Sequence, residues 1–105
     1  MNTGQQDVSP PLTATGTTQA TALLLINGVA YIGTAAAGSG VLLFPGNPGT
    51  EQSVYNGGAN AVKVYPTSGA QINALGTNNP MLLSPNTFCM FRNLTITQTV
   101  GNLSA

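Results

Sequence analysis

The chain is 105 residues long and holds four charged side chains, Asp7, Glu51, Lys63 and Arg92, for a formal net charge of zero. It contains no His, no Trp and one Cys, Cys89. Acid/base chemistry, metal capture, phosphate cradling and electrostatic grip on nucleic acid all need groups that this chain almost lacks, and a lone soluble domain usually displays many more charges.

The length is that of one domain. A chain of this size buries roughly 65% of the surface its unfolded form exposes. Hydrophobic residues make up 42%, but many are Ala, so the expected core is thin and helped by self-association. Two cations cannot release enough counterions to hold DNA or RNA. Cys89 lies in Thr87-Phe88-Cys89-Met90-Phe91 and reads as a buried small hydrophobe, not a reactive thiol.

Residues 1–19 contain Val8 and Leu12 as their large apolar side chains after Met1, among Thr, Gln, Gly, Pro, Ser and Asn. This composition cannot bury enough surface to fold by itself. Ser9-Pro10-Pro11 favours an extended course. The expectation is an extended N-terminal arm, 1–19, with Val8, Pro10, Pro11 and Leu12 as contacts to a partner, followed by a β domain over 20–105. The start has neither a basic cluster nor an apolar run, which predicts no signal peptide. The apolar region from Ala20 to Gly33 is too short and too interrupted for a membrane span.

From Ala20 onward, short apolar runs alternate with Gly, Pro and Asn, the pattern of an all-β sandwich or barrel. Ala22–Ile26 and Val29–Ile32 flank Asn27-Gly28, the strongest short hairpin signal, although Ala22–Ile26 also suits a helical turn. Val41–Phe44 reads as a strand covered on both faces, ended by Pro45-Gly46-Asn47-Pro48-Gly49. Glu51–Asn56, Ala61–Tyr65, Gln71–Asn73, Met81–Leu83 and Phe88–Phe91 follow as strands. Val62 and Val64 share one face of theirs, Lys63 and Tyr65 the other. Leu94, Ile96 and Val100 alternate with Thr95, Thr97 and Thr99, predicting a half-buried strand with threonines outward. Eight or nine short strands in two packed sheets predict a small antiparallel, jelly-roll-like sandwich or barrel.

Catalytic constellations are missing. A Ser-His-Asp set has no imidazole, and paired carboxylates would have to join Asp7 in the arm to Glu51 in the body. A serine with Lys63 as base is formally available, but Lys63 alternates with two valines and reads as a solvated edge or interface lysine. Zinc and calcium sites lack their ligands. Gly38-Ser39-Gly40 precedes a strand and no Lys-Ser or Lys-Thr follows, so it is no phosphate loop. Asn93-Leu94-Thr95 and Asn102-Leu103-Ser104 match the glycosylation triplet at a frequency chance explains. The expectation is a protein that is not an enzyme and takes no cofactor, metal or small-molecule substrate. Its neutral surface binds by shape, by strand addition and by anchors, for which Tyr31, Tyr55 and Tyr65 are the candidates.

Residues 49–76 read GTEQSVYNGGANAVKVYPTSGAQINALG. Together with Gly38–Leu43 upstream, this resembles small virion proteins of tailed bacteriophages, over about residues 20–92. Within that group the chain is most similar to capsid decoration, or cement, proteins. The resemblance implies a structural protein made in the host cytoplasm and carried on the virion. It would bind the major capsid protein as a homotrimer at capsomer junctions, with no nucleic acid or membrane partner. It transfers no catalytic residues. The alternative within the same group is a head-fibre base or tail adhesion module that touches host glycan, a role the lack of Trp disfavours.

Overall fold

The computed structural model describes residues 8–26, 28–45 and 47–104, the side chains of 102–104 excepted. Ten strands form among these residues: β1 (Leu12–Thr13), β2 (Leu23–Leu24), β3 (Val29–Thr34), β4 (Gly40–Leu42), β5 (Glu51–Asn56), β6 (Val62–Tyr65), β7 (Gln71–Ile72), β8 (Met81–Leu83), β9 (Thr87–Asn93) and β10 (Gln98–Ser104). They make a six-stranded sheet, sheet A, in the order β1-β3-β5-β9-β10-β7, and a four-stranded sheet, sheet B, in the order β2-β4-β6-β8. No described helix is long and apolar enough to cross a membrane.

The chain alternates between the sheets. β1, β3 and β5 stack in parallel in sheet A, and β2, β4 and β6 stack in parallel in sheet B. Each sheet-A strand therefore leads to a sheet-B strand and back, which makes three solenoid-like coils. Equivalent positions recur one coil apart: Leu12, Ile32 and Asn56 in one column, Leu23, Val41 and Val64 in the other. The spacing is roughly 20 residues, in the range of solenoid repeats. The last third of the chain closes the stack. β8 runs antiparallel to β6, β9 antiparallel to β5, β10 antiparallel to β9, and β7 runs parallel to β10 at the far edge of sheet A.

The inner faces of both sheets meet in one core. Ala30, Ile32, Val54, Cys89 and Phe91 come from sheet A, and Val41, Val62, Val64 and Leu83 from sheet B. Strict alternation along each strand puts these residues inward and their neighbours outward. Cys89 is fully buried, as its apolar run predicts. Polar side chains tie the coil corners. Gln52 is buried in the core layer and holds the Phe44 main chain at both ends: its Nε2 donates to the carbonyl at 3.0 Å and its Oε1 accepts from the N–H at 3.1 Å. Asn56 donates to the carbonyls of Asn60 and Leu83 and accepts from the Gly58 N–H.

Four sequence expectations change. The all-β class holds, and β5 and β8 keep their expected bounds, but parallel neighbours in both sheets replace the antiparallel jelly-roll order. Local alternation reports that a strand exists and is silent about its partner, and here each crossover is itself a strand of the other sheet. The hairpin expected at Asn27-Gly28 does not form: β2 pairs with β4 in sheet B and β3 with β1 and β5 in sheet A, while Asn27 itself lies outside the described residues. Residues 94–97 form a turn, with Leu94 and Ile96 exposed and Thr99 buried. The reason is local: the Thr95 hydroxyl accepts the N–H groups of Thr97 and Gln98, and the Leu94 N–H reaches the Gln98 carbonyl, a threonine-capped turn that outweighs the alternating pattern. Finally, of the segment read as an arm, residues 1–7 lie outside the described residues, and 8–19 lie on their own chain as the first coil. Val8 bridges Val29, the Ser9 N–H donates to the Val29 carbonyl, and Ala14 is buried in the core.

Candidate interaction face

The outward face of sheet A is built from alternate positions of β3, β5 and β9. Register sets Tyr31 beside Tyr55 and Tyr55 beside Phe88 in one row, with Val29, Ser53 and Met90 in the next. Val8 extends the second row across its bridge to Val29. The tyrosine rings lie with centroids 5.9 Å apart and planes tilted by 40°, a favourable aromatic contact. Gly57 leaves room for them: a Cβ there would sit 2.9 Å from the Tyr31 ring. The Tyr55 hydroxyl donates to Asn86 Oδ1 at 3.4 Å.

This face is largely apolar and open at its margins, with Ser53 buried between Val29 and Met90. Val8 is 59% exposed, Met90 44% and Tyr31 38%, while Tyr55 and Phe88 are half-buried. Pro11 lies over Gly33 at the same margin, its Cβ 3.0 Å from where a Gly33 Cβ would be. The opposite margin carries charge, with Glu51 and Arg92 cross-strand partners joined in an ion pair. Scattered exposed hydrophobes need no explanation, but a contiguous apolar face rimmed by polar groups marks a place where another surface binds.

The expected contact residues divide. Val8, Tyr31 and Tyr55 come together on this face, and Pro10 and Pro11 are exposed beside it. Leu12 turns inward and packs against the core. Tyr65 is 6% exposed and its hydroxyl donates to the Thr17 carbonyl at 3.1 Å, so it braces the first coil against the third. Phe88 and Met90 belong to the face and were not among the residues expected there. Their signal was present: Phe88–Phe91 is apolar on both alternating faces, and one of those faces is not core.

For chemistry the described residues offer little. No cavity opens among them, and no three of His, Cys, Asp or Glu come close enough to hold a metal ion. No family model, no curated protein and no solved structure matches this chain.

Proposed function

We propose that the chain is a structural subunit of a tailed-phage particle: a decoration protein that binds the major capsid protein of the head shell through the outward face of sheet A. The observation that carries this reading is the joining of Val8, Tyr31, Tyr55, Phe88 and Met90 into one open face on a chain with four charges. Aromatic and Met side chains are the enriched anchors of protein interfaces. The segment that resembles phage virion proteins, 49–76, supplies β5, β6 and β7, and β5 lies at the centre of this face. A shell repeats its surface many times, so contacts that are weak singly become strong when subunits are linked. A neutral face also tolerates small differences between shell positions better than fixed charges do.

Mixing the purified chain with expanded heads that lack it tests the reading. Decoration at a fixed number of copies per head is the expected result. Binding to host cells and not to heads would favour the second reading, an adhesion module for host glycan. That alternative draws on the exposed Tyr31 ring next to Tyr55 and the neutral hydrogen-bonding Asn86.

A further inference from the structure

The chain contains two Asn-Gly pairs, Asn27-Gly28 and Asn56-Gly57. Asparagine is thermolabile, and most so before glycine, which has no Cβ to shield its nitrogen. Asn27 lies outside the described residues. Asn56-Gly57 sits at the corner where the chain leaves β5 in sheet A for β6 in sheet B.

Deamidation begins when the main-chain nitrogen of the following residue, its proton lost to base, attacks the side-chain amide carbon. A C–N bond forms, the bond to Nδ2 breaks, and that nitrogen takes up a proton and leaves as ammonia. Water then opens the cyclic imide at either carbonyl, giving an aspartyl or an isoaspartyl residue. In this fold each reacting group is held. The Gly57 N–H donates to the Ile32 carbonyl at 2.7 Å, which keeps the proton on the nucleophile. Asn56 Nδ2 donates to the Asn60 carbonyl at 2.8 Å and to the Leu83 carbonyl at 2.9 Å, and Oδ1 accepts the Gly58 N–H at 2.9 Å. To turn toward the Gly57 nitrogen, the side chain must give up these bonds. It is also fully buried, out of reach of the base and water that the reaction needs.

We propose that Asn56-Gly57 is a deamidation site latched by the fold, silent while the third coil is closed, reactive once it opens, and closed to return after it has reacted. The product makes the step one-way. A carboxylate at position 56 accepts and does not donate, so the Asn60 and Leu83 carbonyls would lose their donor and face an oxygen. A negative charge would enter a buried site lined by those carbonyls. The isoaspartyl form would in addition lengthen the main chain at the end of β5. Chemical modification of an opened chain is one route to irreversible unfolding. Here it would remove chains that have stayed open and spare those that stay closed.

The test follows the wild-type chain by peptide mapping and mass spectrometry during incubation in mildly alkaline buffer, with and without denaturing urea. In urea, positions 27 and 56 should be modified at similar rates. In buffer, Asn56 should react at least about 100-fold more slowly than in urea, because it reacts through the open fraction alone. A rate in buffer within about tenfold of the rate in urea would overturn the protection. A second measurement reads the latch. An Asn27→Gln chain, which lacks the other labile pair, is aged in urea and diluted, and the melt of the fraction modified at position 56 is compared with that of the fresh chain. The modified fraction should not recover the fresh-chain melt, and an Asn56→Asp chain made directly should behave alike. Full recovery by either would overturn the proposal.

Discussion

Two buried amides do more for this fold than any of its charges. Gln52 satisfies both main-chain groups of Phe44 from a position that is 2% exposed. Replacing it with Met keeps the length of the side chain and leaves an N–H and a carbonyl without their partner inside the stack. The expected loss is roughly 2–4 kcal/mol, one desolvation penalty for each orphaned group, measured by urea unfolding. Asn56 makes three hydrogen bonds, to Asn60, Leu83 and Gly58, and is fully buried. Asn56→Ala should cost about as much, because the loop it ties, 57–60, also holds the previous coil through Asn60 Nδ2 and the Ala35 carbonyl. A loss under about 0.5 kcal/mol for either variant would mean that water replaces the amide without penalty and that these corners are not closed as described.

At the scale of elements, coil stacking depends on close approach. Gly40 in β4 lies against β6, where a Cβ would fall 2.9 Å from the Lys63 carbonyl and 3.0 Å from the Tyr65 ring. The carbonyl is main chain and cannot swing aside. Gly40→Val should therefore destabilise the chain by about 1–3 kcal/mol through overpacking, whereas Gly38→Ala, which meets nothing within 4 Å but has a positive φ, should act through backbone strain alone. Thermal melts of the two variants check the contrast: a Gly40→Val protein as stable as the wild type would place β4 and β6 further apart. Strands such as β5 and β8 were legible as short runs between turn residues, and the burial of Cys89 from the apolar run around it. Their order was not. A parallel neighbour sits a coil away in sequence and leaves no local mark, whereas Asn27-Gly28 carries a strong local mark for a hairpin that tertiary pairing overrides. The outward face of sheet A was half legible: Tyr31 and Tyr55 stood out as aromatics, Tyr65 looked the same and is internal, and Met90 became visible once β9 was placed with one face outward.

The whole molecule is close to electrically silent. Two of its four charges, Glu51 and Arg92, neutralise each other at the surface, with side chains 33% and 55% exposed. Screening by solvent leaves such a pair worth about 1 kcal/mol or less. A double-mutant cycle with Glu51→Gln and Arg92→Gln at physiological salt should return a coupling in that range. A larger value would make the pair a structural clasp between β5 and β9. Stability thus rests on the two-sided core and the amide ties, and solubility has little charge to draw on. Such a chain is suited to a life against other protein, and the proposed docking surface is the outward face of sheet A. The most direct test is saturation binding to expanded, undecorated phage heads, wild type against the folded double variant Tyr31→Asp/Met90→Asp. The account predicts stoichiometric decoration by the wild type and a loss of at least about 100-fold in affinity for the variant, since two anchors at the centre of an interface are replaced by charge. Equal decoration by both proteins, or none by the wild type, would contradict it.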